Sequence, residues 1–105
     1  MSTRLQQLFS FLESNPDDAF LIFAVAKEFE GMGQRDQAIS YYKRLIEEQP
    51  NYVGTYYHLG KLYEKISDEP QAFATYERGI VAARNVNDMH ALAELQNAKM
   101  ELAEV

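Results

Sequence analysis

Apolar residues recur along this chain at the three-then-four spacing of a helix face, and polar punctuation cuts the pattern into six segments. Leu5, Leu8, Phe9 and Leu12 form the first stripe, over residues 3–14. Asn15-Pro16-Asp17-Asp18 reads as the next helix start, with Asn15 as cap, Pro16 at the first helical position and acids at the positive end of the dipole. Ile22, Val25, Ala26 and Phe29 carry that helix to Gly31-Met32-Gly33. Ala38, Ile39, Tyr42, Leu45 and Ile46 line a third helix over 35–48, which Gln49-Pro50-Asn51 breaks because a residue before proline avoids helical angles. Tyr56, Leu59, Gly60 and Tyr63 mark the fourth, Ser67-Asp68-Glu69-Pro70 turns the chain, and Ala72, Phe73, Tyr76, Gly79 and Ile80 mark the fifth. After the polar break Asn85-Val86-Asn87-Asp88, a last helix over 89–103 carries Ala91, Leu95, Ala98 and Leu102, with Val105 beyond. The pattern predicts an all-α fold of about six helices with short connections.

Residues 17–50 and 51–84 repeat each other at a spacing of 34. Pro16 recurs as Pro50, Lys27 as Lys61, Glu30 as Glu64, Gln37-Ala38 as Gln71-Ala72, Tyr42 as Tyr76, Arg44 as Arg78 and Ile46 as Ile80. A fixed period of this length marks stacked helix pairs that bury their apolar faces against neighbours. Small residues at Ala26 and Gly60, facing Ala38 and Ala72, predict a close helix–helix approach. A glycine inside a helix costs about 1 kcal/mol against alanine, so Gly60 itself points to a tight contact. Phe29, Tyr42, Tyr63 and Tyr76 are expected to fill the wedge between successive units.

These residues resemble the tetratricopeptide repeat family. Its large–hydrophobic–small–aromatic first helix matches Ile22, Val25, Ala26 and Phe29, then Tyr56, Leu59, Gly60 and Tyr63; its second helix matches Ala38, Tyr42 and Pro50, then Ala72, Tyr76 and Gly79. Leu45 is large where the family has a small residue, and Arg84 replaces the closing proline. The resemblance implies a right-handed superhelical α-α solenoid of antiparallel helix pairs. It would form one domain over 1–105: a half-repeat helix at 1–15, full repeats at 17–50 and 51–84, and a capping helix at 87–105.

The resemblance also implies that first helices line a concave groove. On those helices a second stripe, offset from the core, holds Phe20, Phe23, Lys27 and Glu30 in the first copy and Gly54, Tyr57, Lys61 and Glu64 in the second. Such a groove suits a peptide or protein segment with an apolar anchor and an acidic group. The plainer alternatives are that Phe20 and Phe23 pack on the first helix, and that Lys27–Glu30 and Lys61–Glu64 are surface pairs. Some family members clamp the carboxylates of chaperone tails; here Phe23 and His58 stand where that clamp has Lys and Asn, which argues against that ligand. Self-association through exposed aromatics, giving a homodimer, is the competing reading, with the Leu5/Phe9 side of the first helix expected to be incompletely capped.

Sixteen acidic against ten basic residues give a net charge of −6, which disfavours nucleic acid and anionic membranes as partners. There is no cysteine, and two histidines, His58 and His90, make no metal motif. Asp88-Met89-His90 reads as a cap beside a surface histidine, and no catalytic or cofactor-binding constellation emerges, so a non-enzymatic role without cofactor or metal is expected. The first nine residues lack an unbroken apolar run, and no stretch approaches the roughly 20 apolar residues of a membrane span. A cytoplasmic location follows as the expectation.

Overall fold

The computed structural model describes residues 3–104. Six α-helices and no strand occur among them: α1 Thr3–Ser14, α2 Ala19–Gly31, α3 Arg35–Glu48, α4 Gly54–Lys65, α5 Glu69–Asn85 and α6 Met89–Ala103. Val105, expected beyond the α6 stripe, lies outside the described residues, as do Met1 and Ser2 of the half-repeat. The chain divides into two compact units, Met1–Gln49 with α1 to α3 and Pro50–Val105 with α4 to α6.

In the first unit α2 and α3 form a helical hairpin, and α1 packs against α2. Leu5, Leu8 and Leu12 of α1, Ile22, Val25, Ala26 and Phe29 of α2, and Ala38, Tyr42, Leu45 and Ile46 of α3 are buried, as their spacing predicts. The α1 face was expected to be poorly capped at Leu5 and Phe9. Instead Leu5 is only 1% exposed, and the half-buried Phe9 sits between Phe29 (6.1 Å between centroids) and Tyr41 (6.3 Å). Phe11 is the exposed aromatic of α1.

The start of α2 also differs from expectation. Asn15 does not cap it: its side chain donates to the Phe11 carbonyl, finishing α1, and Asp18 accepts from the Leu21 amide as the true cap. The intervening 15–18 turn is held from α3, where Arg44 donates to the Pro16 carbonyl at 2.8 Å and Gln49 donates to that of Asp17. These bonds give Arg44 and Pro16 a shared structural role that adjacency along the chain cannot reveal.

In the second unit α4 and α5 pair, and α6 packs on both. Asp68 and Asp88 cap α5 and α6 as Asp18 caps α2. Gly60 does face the partner helix, but a Cβ there would meet the Tyr76 ring, at 2.7 Å from its Cδ1 and Cζ, and these atoms are nearer than any of Ala72. Gly79 is held as closely, since a Cβ would fall 2.5 Å from that of Tyr56 and 3.0 Å from a Leu95 methyl of α6. Tyr42 and Tyr76 are thus seated inside their own helix pairs by contacts to Phe23 and Gly60, while Phe29 and Tyr41 meet Phe9 of α1. With no proline at 84 to stop it, α5 runs 17 residues against 14 for α3. On α6 the buried face is Leu92, Leu95 and Ala98; Ala91 and Leu102 are half-buried.

Candidate functional site

The inward face of α2 is taken by its core stripe, which leaves Phe20, Phe23, Lys27 and Glu30 on the turns beside it. Phe20 is 63% exposed and Lys27 is also exposed. Phe23 is half-buried and packs edge-on against Tyr42 of α3, with centroids 6.0 Å apart. Glu30 accepts the Tyr42 hydroxyl at 2.8 Å. Burial first, then this hydrogen bond and the glutamate's charge, push the Tyr42 hydroxyl far above its ordinary titration range.

The face of α4 repeats this arrangement. Tyr76, wholly buried, donates to Glu64, and burial followed by that hydrogen bond raises its titration as well. Lys61 Nζ lies 3.7 Å from a Glu64 oxygen, the expected i, i+3 pair, and 5.6 Å from the centre of the Tyr57 ring. Tyr57 is half-buried and edge-on to His58. Gly54 is exposed at the start of the helix.

Two features escape a reading confined to first helices. Glu94, Asn97, Ala98 and Glu101 of α6 join Tyr57 and Lys61 around a cavity of about 190 Å³. The available signal was their i, i+3, i+4, i+7 spacing beside the Leu95 stripe. The second is a largely apolar cavity of about 450 Å³ between α5 and α6, lined by Phe73, Ile80, Met100 and Ala103 with the polar Arg84, Gln96 and Lys99. There Lys99 lies 5.2 Å from the centre of the Phe73 ring and 3.5 Å from the Glu77 carboxylate. Among the described residues no three acids or histidines are grouped to hold a metal ion, and no helix is long and apolar enough to cross a membrane. His90 is exposed, and Asp88 beside it is occupied in capping α6.

The arrangement of helix pairs matches known proteins. The tetratricopeptide repeat model matches residues 18–52. A tetratricopeptide repeat domain protein from Salinibacter ruber, known from a crystal structure, is 41% identical, with a TM-score of 0.77 over 82% of this chain and 97% of that one. This chain belongs to the tetratricopeptide repeat family. A TPR repeat-containing protein of Pseudomonas aeruginosa is 26% identical over 91 residues, 87% of each chain. The TPR2B domain of yeast Sti1, solved as a complex with pHsp70, shares the fold at a TM-score of 0.85 over 95% of this chain and 80% of that one, with 17% identity. Tetratricopeptide repeat proteins are typically non-catalytic scaffolds, and their fold supports a role in protein–protein interaction.

Proposed function

We propose that this chain is a cytoplasmic, non-catalytic adaptor that binds a peptide or protein segment through the first-helix faces of its two units. Phe20, Phe23 and Lys27 on α2 and Tyr57 and Lys61 on α4 are its contact residues, and neither nucleic acid, membrane nor cofactor is required. The observation that carries this reading is the recurrence of an aromatic and a lysine at corresponding, solvent-accessible positions, Phe23-Lys27 and Tyr57-Lys61, beside buried core stripes. Aromatics of this kind supply most of the energy at interfaces, and the lysines add orientation. Glu30 and Glu64 serve this site indirectly, because their carboxylates anchor buried tyrosines.

Affinity capture from cell extract with the wild type and with Phe20→Ala/Tyr57→Ala/Lys61→Glu tests the reading. Phe23 is left intact because it props Tyr42. A partner recovered only by the wild type, with both proteins showing the same helical circular dichroism, supports the first-helix site; equal recovery rejects it. A homodimer is the second reading, favoured by Phe11 and Phe20 at 58% and 63% exposure. Sedimentation equilibrium decides between them: a stable dimer that Phe11→Ser/Phe20→Ser dissociates would replace the adaptor reading, and a monomer would remove the dimer.

A further inference from the structure

The cavity between α4 and α6 has a charge opposite to the one its lysine suggests. Lys61 is already matched by Glu64, which lies within ion-pairing distance. The remaining titratable side chains on the cavity wall, apart from Tyr57, are Glu94 and Glu101 of α6, and neither forms an ion pair among the described residues. Beside that matched pair, Glu94 and Glu101 add two negative charges to the cavity wall, in a protein whose net charge is already −6. Buried Ala98, half-buried Tyr57 and exposed Asn97 complete the lining. The volume, about 190 Å³, admits one side chain and excludes a helix.

We propose that this cavity receives a basic side chain of the bound segment, arginine ahead of lysine. The inference rests on the first-helix reading above and reverses the acidic ligand that Lys61 alone suggests. Glu94 and Glu101 lie on one face but two helical turns, about 10 Å, apart, so a guanidinium would pair with one carboxylate and be attracted by the other, while its plane stacks on the Tyr57 ring as a compact ammonium cannot. The aliphatic stem of the arginine would lie against Tyr57 and the Ala98 methyl. A carboxylate in the same place would meet Glu94 and Glu101 with no uncommitted cation to receive it.

Titration of the ¹⁵N-labelled protein with the capped peptides Ac-Gly-Phe-Arg-Gly-NH₂ and Ac-Gly-Phe-Glu-Gly-NH₂ at low salt separates the possibilities. The arginine peptide is expected to shift the amides of Asn97, Ala98 and Glu101 together with Tyr57 and Lys61. Its affinity should fall about three- to tenfold in Glu94→Gln/Glu101→Gln, as for two exposed ion pairs. Both substitutions are isosteric at exposed positions, and an unchanged thermal melt verifies the fold. Stronger shifts with the glutamate peptide, or α6 amides that respond to neither peptide, overturn the inference. Such a result leaves the first-helix site standing, because partner capture through Phe20, Tyr57 and Lys61 is measured separately.

Discussion

At the residue scale, one device recurs: a buried tyrosine whose hydroxyl is held by the glutamate twelve residues before it. A phenol that leaves water needs an acceptor, and a carboxylate on the facing helix supplies a charge-assisted one. Tyr42–Glu30 and Tyr76–Glu64 tie the second helix of each pair to the first, near the stripe proposed to meet a partner. Tyr76→Phe is expected to destabilise by about 1 kcal/mol, since the half-buried Glu64 regains water when its donor is removed. The pH dependence has a definite sign. In the unfolded chain tyrosines ionise near 10.0, while burial and the glutamates keep the folded hydroxyls protonated well above that. Unfolding then releases protons, so stability is retained below pH 10 and falls above it by about 1.4 kcal/mol per pH unit for each such tyrosine. Urea melts between pH 9 and 11 should show this slope, reduced in Tyr76→Phe; identical slopes in both proteins would contradict it.

At the element scale, exits and close approaches organise the helices. α2, α4 and α5 end alike: the amides of Gln34, Asp68 and Asp88 return to the carbonyls of Phe29, Tyr63 and Ala83, around residues with positive φ at Gly33, Ser67 and Asn87. The glycine was legible as a stop in the first copy, and its counterpart Ser67 shows that the exit geometry outlasts the residue that favours it. Helix pairing then rests on missing side-chain volume. Gly79→Ala should cost about 1–3 kcal/mol, because the new methyl meets the Tyr56 Cβ, which cannot swing aside, and this outweighs the gain in helix propensity. Ala72→Leu, at a fully buried seam position, should cost a similar amount. Neutral behaviour of both variants in urea would mean that this packing is wrong.

At the scale of the whole molecule, the six helices and most of the core were legible because each α-helix advertises its buried stripe locally, and the 34-residue period aligned the two copies. What stayed hidden depends on contacts between residues far apart in the chain. The α2 start moved from Asn15 to Asp18 because the 15–18 turn is fastened by Arg44 and Gln49 from the far end of the hairpin. Gly60 was legible as a tight contact, but that its neighbour is Tyr76 depends on where that ring lies across the pair. The candidate stripe was legible as a pattern, whereas the roles within it were not: Glu30 and Glu64 are engaged by tyrosines, Phe23 leans on Tyr42, and α6 adds Glu94 and Glu101 beside Lys61. The proposed function rests on a partner binding the first-helix faces. Amide chemical-shift mapping with a partner recovered by affinity capture tests it most directly. Perturbations are expected at Phe20, Lys27, Tyr57 and Lys61, weakening with salt without vanishing, because screening removes only the charge contribution. Perturbations clustered instead on Tyr41, Lys43, Glu47 and Glu77 of the second helices would contradict it.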